Sequence, residues 1–180
     1  MISRRKFLIF VSSLATLGVA VAPLKVFARS KFIDKRTYSD ASGNKYFLNF
    51  VSREGALGHA YVSWGIEDRR KRQSIQKSFG YYPVKPGVNN LGSVPGKIVA
   101  EDSSKRTVNS LTVQVDKKVY DRTKRATRKW STRRYNLFAR NCVRFVHDVA
   151  KKAKLKVPRR SSFRFPDSYI EELMEINRGH

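Results

Sequence analysis

The sequence predicts an α+β fold, a small antiparallel sheet followed by helices that pack on it. Three observations carry this. Apolar and polar residues alternate from Lys45 to about Tyr82 with short interruptions, which is the period of strands. Residues 83 to 107 hold Pro83, Pro86, Gly87, Gly92, Pro95 and Gly96, a loop-like break. From Asp116 onward apolar residues recur at three- and four-residue steps, the period of helices.

The chain opens on Ser3-Arg4-Arg5-Lys6-Phe7-Leu8, which fits the twin-arginine export pattern. An apolar stretch to Leu24 follows, then Lys25 and Val26-Phe27-Ala28, a pattern a signal peptidase reads. Residues 1–28 are therefore expected to be a twin-arginine signal peptide, with Arg29 as the new N-terminus and a periplasmic or otherwise exported destination. An uncleaved membrane anchor is the alternative, because an apolar run of this length just reaches across a bilayer.

Residues 29–44 are polar and end in Asp40-Ala41-Ser42-Gly43-Asn44, which reads as a linker into a domain spanning 45–180. Within it, Lys45 to Val51 and His59 to Ile66 read as two strands joined by a connection bearing Gly55 and Gly58. Ser74 to Tyr82 reads as a third strand, Lys97 to Ala100 as a brief pairing, and Leu111 to Val115 as a further strand. Helices are expected from Asp116 to about Trp130, from near Asn141 to about Ala153, and from Pro166 through Ile176, the last with proline in its first turn.

The chain carries 38 Lys and Arg against 14 Asp and Glu, a formal charge of +24. Loss of residues 1–28 would remove only Arg4, Arg5, Lys6 and Lys25, so the excess belongs to the body of the protein. Such a charge favours a polyanionic surrounding, such as anionic membrane surfaces or acidic envelope polymers. Nucleic acid fits an exported protein less well.

There is one cysteine, Cys142, so no intramolecular disulfide can form. It stands at the predicted start of a helix, directly after Asn141 as a candidate N-cap. Free N–H groups and the helix dipole there stabilise a thiolate, and the same groups can hold a developing oxyanion. Burial is the plain alternative for a lone cysteine. Of three histidines, His180 is the last residue, and His147 lies five residues along the helix from Cys142, about 140° around its axis. His147 reads as an ordinary surface or partly packed helix residue. His59, at the start of a strand, is left as the candidate base. No cofactor is expected, and no metal, since there is no Cys/His pair at ligand spacing, no His-Glu-x-x-His and no glycine-rich phosphate loop.

Gly58-His59-Ala60-Tyr61-Val62, Phe79-Gly80-Tyr81-Tyr82-Pro83 and Tyr135-Asn136-Leu137-Phe138-Ala139-Arg140-Asn141-Cys142-Val143-Arg144-Phe145-Val146 together resemble the circularly permuted branch of the papain-like hydrolases. This is the broad group of NlpC-type peptidases and lecithin:retinol acyltransferase-like proteins, in which the histidine strand precedes the cysteine helix. The resemblance covers roughly residues 45 to 175. It implies Cys142 as nucleophile and His59 as general base and acid, with Asn141 as helix cap beside the oxyanion site. In that branch a third polar residue from the following strand orients the imidazole. Ser78 or Gln76 would take that part here, although many relatives carry a histidine or an acid.

Basic residues cluster from Lys117 to Arg134, where Lys124, Arg125, Arg128, Lys129, Arg133 and Arg134 surround Trp130. Such a helix would lie along an anionic polymer, or at a membrane surface with Trp130 at the boundary. A solvated face is the simpler alternative. Two functions follow. One is an exported cysteine hydrolase or acyltransferase acting on an amide or ester, with wall peptides as the first substrate choice and lipid esters as the second. The other is a non-catalytic basic module that binds the envelope.

Overall fold

The computed structural model describes residues 28–37, 40–87, 92–102, 106–159 and 164–178. The expected export signal lies outside these residues, apart from Ala28, and so does His180. The strands are β1 (Arg29–Asp34), β2 (Lys45–Arg53), β3 (His59–Asp68), β4 (Gln73–Pro83), β5 (Val94–Ala100), β6 (Thr107–Val115) and β7 (Arg134–Tyr135). The helices are α1 (Lys117–Trp130), α2 (Cys142–Lys152) and α3 (Pro166–Ile176). The fold is α+β, with one seven-stranded sheet ordered β1-β6-β2-β3-β4-β5-β7. Every neighbour pair is antiparallel except β1 with β6, so the sheet is mixed.

Alternation decides which face of the sheet the helices cover. Leu48 and Phe50 of β2 stand opposite Trp64 and Val62 of β3, and opposite Val113 and Leu111 of β6. All six are buried in one core with Trp130, Phe145, Val149, Ile170 and Leu173 from the helices. Trp64 donates its indole N–H to Thr123 Oγ1 on α1 at 3.1 Å, so the largest strand side chain is satisfied as well as packed. The other face carries His59, Tyr61 and Ser63, with Gly80 and Ser78 in register against the last two.

Three expectations are corrected. Residues 29–44, read as a linker, begin with strand β1, which pairs along β6 from Arg29↔Asn109 to Asp34↔Gln114. Among its residues only Ile33 is buried, so an edge strand of this kind has no alternation to read. The proline-rich stretch holds β5, seven residues long, because Pro83 and Pro95 lie at strand ends where a missing N–H costs no ladder bond. Trp130 is 1% exposed and gives its indole N–H to Asp148 Oδ2 at 3.2 Å, so it is a core residue and not a membrane-boundary one.

Candidate active site

Asn141 ends an extended segment and starts α2. Its side-chain oxygen accepts from the Arg144 backbone N–H at 3.0 Å, its carbonyl accepts from Phe145 N at 3.1 Å, and its Nδ2 donates to Leu137 O at 2.6 Å. Both ends of the amide are therefore committed to the cap. If an oxyanion forms here, the donors are main-chain N–H groups and not the Asn141 side chain.

Cys142, at the first turn, packs where β3 and β4 part. Their ladder ends at Tyr61↔Gly80, so His59 and Ala60 lie beyond the last pair. In that gap the sulfur lies close enough to the His59 side chain and to the Ala60 and Val143 backbone to be influenced by them. Burial pushes the thiol pKa up, but the His59 contact and charge, with the two backbone donors, outweigh it and hold Cys142 below the ordinary thiol value.

The imidazole of His59 is fixed from several sides. Its Nε2 lies 3.0 Å from Glu101 Oε1, which leaves Nδ1 as the nitrogen for Cys142. The ring stacks on Tyr82 with centroids 4.2 Å apart. Burial would lower its pKa, yet Cys142 and Glu101 together raise it. A lowered thiol beside a raised imidazole favours the thiolate–imidazolium pair.

Glu101 follows the last residue of β5 and has a side chain only 2% exposed. Burial pushes its pKa up, and His59, the Tyr82 hydroxyl and Arg53 pull it down by more, to a net lowering. Its second oxygen, Oε2, is 3.0 Å from Arg53 Nη1, and Arg53 Nη2 donates to Tyr82 Oη at 2.6 Å. The Tyr82 hydroxyl in turn donates to Glu101 Oε1 at 2.8 Å. Cys142, His59, Glu101 and Arg53 thus form a largely enclosed row in which the carboxylate stands between the imidazole and the guanidinium, so that opposite charges are neighbours wherever they form.

Gly80 makes the room. A Cβ built there would collide with Glu101 Oε1 and would come within 2.5 Å of His59 Nε2 and 2.9 Å of Tyr82. A glycine inside a strand marks such a close approach.

Cys142, 9% exposed, lines a cleft of about 560 Å³ together with His59, Tyr81, Tyr82, Tyr135 and Leu137. The arrangement suits acyl transfer: a nucleophile, a base in contact with it, an acid that orients the base, and backbone donors at a helix start. Among the described residues no group of three or more His, Cys, Asp or Glu side chains is placed to hold a metal ion.

No family model matches the chain, and no curated protein matches it. One solved structure is similar in fold: the crystal structure of the Type VI secretion system effector TseH, at a TM-score of 0.52 and 17% identity. The match covers 74% of this chain and 90% of that one.

The predicted orienters do not hold the imidazole. Ser78 Oγ is bonded to Ser63 Oγ at 2.7 Å, and Gln76 is paired with Gly65, further from His59 along the strands. Both face the right side of the sheet, but the register brings Tyr82 and Glu101 to the ring instead. Glu101 escapes a sequence reading that stops at β4, since it comes from one strand further on. The signal for it is Gly80, a bare position in an otherwise well-patterned strand. His147 is buried at 5% exposure, with Nδ1 3.3 Å from the Tyr169 hydroxyl, which corrects the surface part of its reading. Of the cationic cluster, Lys124, Arg125, Arg128 and Lys129 are exposed on α1. Arg133 instead stacks over the Trp130 ring at 4.6 Å and faces Asp148 at 3.6 Å, and Arg134 bonds Ser93 Oγ at 3.1 Å.

Proposed function

We propose that this protein is an exported cysteine hydrolase or acyltransferase of the permuted papain-like kind, with Cys142 as nucleophile, His59 as base and acid, and Glu101 as orienter. The single observation that carries the reading is that Cys142 and His59 line one cleft while His59 Nε2 stands 3.0 Å from Glu101. The family motifs around His59 and Cys142 support it, as does the fold shared with the TseH effector.

In the proposed reaction the Cys142 thiolate adds to an amide or ester carbonyl, and a C–S bond forms while the carbonyl oxygen takes the negative charge. Main-chain N–H groups at the start of α2 hold that charge. The oxyanion then collapses, the C–N or C–O bond breaks, and the imidazolium of His59 gives its proton to the leaving amine or alcohol. Neutral His59 next takes a proton from water or an acceptor alcohol, which attacks the thioester and releases Cys142. Wall peptides are the first substrate class and lipid esters the second. Export rests on the twin-arginine pattern at Ser3 to Leu8, and cell fractionation tests it.

Intact-mass spectrometry after acid quench tests the chemistry. An ester or peptide substrate should leave a transient acyl adduct on the wild type and none on Cys142→Ala. Turnover that survives Cys142→Ala overturns the assignment.

A second reading, a non-catalytic module for anionic envelope polymers, draws on the exposed Lys124, Arg125, Arg128 and Lys129. It expects polymer binding that weakens steeply with salt, is lost when these four are neutralised, and is indifferent to Cys142→Ala.

A further inference from the structure

We infer that the mouth of the Cys142 cleft is a docking surface for an anionic phospholipid bilayer. This goes beyond the hydrolase reading, because nothing in it depends on the reactivity of Cys142.

Among the described residues six large apolar side chains are exposed, and four of them either line this cleft or stand next in sequence to a residue that does, Phe165 also sharing an adjoining depression with Leu57. Leu57 (52% exposed) lines the cleft. Val84 (42%) follows the lining residue Pro83, and Phe138 (49%) follows the lining residue Leu137. Phe165 (49%) sits between the lining residues Arg164 and Pro166. Single exposed apolar residues are ordinary, but several around one opening mark an interaction surface. All four stand on connections between elements, where side chains can enter a surface without disturbing the core.

Charge selects the occupant. Lys85 follows Val84, Arg140 lies two residues after Phe138, and Arg164, which is paired with Glu172, precedes Phe165, so each apolar tip but Leu57 has a cation within two residues along the chain. The one acid lining the cleft, Glu54, is paired with Arg106 at 3.1 Å. Apolar tips interleaved with cations, on a chain of net charge +24, fit acyl chains below and anionic head groups above. The inner wall of Tyr81, Tyr135, Leu137 and Val143 continues the apolar surface toward Cys142. The basic helix α1 is a poorer membrane face, because its aromatic residues Tyr120 and Trp130 are turned into the core.

The test uses the full chain with Cys142→Ala, so that a single introduced thiol carries an environment-sensitive dye. Leu57→Cys and Phe138→Cys report on the mouth. Ile75→Cys is the control, an exposed apolar site on β4 at the far end of its pairing with β3. On adding vesicles of phosphatidylglycerol and phosphatidylcholine, the two mouth labels should shift to the blue and brighten severalfold, and lipid-borne nitroxide should quench them. The Ile75 label should stay unchanged, pure phosphatidylcholine should give a weaker response, and rising salt should reverse the shift. A local readout of this kind is not satisfied by insertion of residues 1–28 alone. The proposal is overturned if the Ile75 label responds as the mouth labels do, if neither mouth label responds, or if a soluble wall peptide shifts them and vesicles do not. Circular dichroism of each labelled variant checks the fold. Loss of hydrolysis in Cys142→Ala leaves the outcome untouched, so failure of docking and failure of the enzyme reading are separate results.

Discussion

Glu101 holds Oε1 3.0 Å from Nε2 of His59 across a strand position that has no side chain. The carboxylate therefore fixes which ring nitrogen is left for Cys142, and together with Cys142 it raises the pKa of the ring against the effect of burial. On the proposed reading the His59–Glu101 pair orients the base that the thiol needs.

Catalysis is expected to follow a bell in pH. The Cys142 thiol is lowered by His59 and by backbone donors despite burial, so the acidic limb lies below the ordinary thiol range of about 8.5. The His59 ring is raised by Cys142 and Glu101 despite burial, so the alkaline limb lies above the ordinary histidine value of about 6.5. The kcat/KM profile of an ester substrate checks both limbs, and an acidic limb at the ordinary thiol value contradicts the ion pair.

Glu101→Gln keeps a side-chain acceptor and removes the charge, whereas Glu101→Leu removes both. The first should lower the His59 pKa and draw in the alkaline limb with a modest loss of rate. The second should cost on the order of 10²- to 10⁴-fold in kcat, the range seen when a base loses its orienting partner. Equal losses for the two variants would mean that charge alone matters.

Gly80→Ala puts a methyl group within 2.5 Å of His59 Nε2, and either the imidazole and carboxylate separate or the strand shifts. Overpacking of this kind costs roughly 1–3 kcal/mol. Melting temperature and kcat should fall together. A variant with wild-type kinetics would show that the pair tolerates displacement.

The side chains of Arg53 and Glu101 are largely enclosed, 10% and 2% exposed. Arg53→Met removes one of the carboxylate's partners and leaves it His59 and Tyr82, and should cost on the order of 1–3 kcal/mol. The Glu101 pKa is depressed in the native state, so its contribution is present above the ordinary carboxylate range and lost as pH falls through the native value. Removing Arg53 raises that native value, and acid unfolding should begin at higher pH. Arg53→Lys should recover part of the loss, as followed by denaturant titration across pH.

Trp130→Ala should destabilise the fold by roughly 3–5 kcal/mol, as truncation of a large core aromatic does. It should leave salt-dependent binding to an anionic polymer unchanged at temperatures where the variant is folded. Weaker polymer binding by the folded variant would return Trp130 to the surface role its neighbours suggest.

Much of this architecture is legible in the chain. Asn141 before Cys142 marks the start of α2, Pro166 marks that of α3, and the alternation of Ala60, Val62 and Trp64 sets the buried face of β3. What stays hidden depends on register. Glu101 reaches His59 because Phe79 pairs with Ala100 and Glu101 N donates to Ser78 O, a relation between strands that no local pattern encodes. β1 stays hidden because a single buried residue, Ile33, is its whole signature. Trp130 is a different case. Tyr120, Thr123, Ala126 and Trp130 are spaced as one helical stripe, and that stripe is the buried one, so the information was present under the surrounding cations.

The gap between β3 and β4 that receives Cys142 joins a thiol and an imidazole from opposite halves of the chain. In the unfolded chain the same cysteine has no such neighbours and the ordinary reactivity of a solvated thiol. The setting that the proposed nucleophile needs therefore forms only when residues distant in sequence have met, late in any folding route whose cost rises with the span of chain closed. A change in its rate of alkylation on folding would report when the two halves of the chain have met. A chain still being synthesised lacks the pairing on which the proposed chemistry depends.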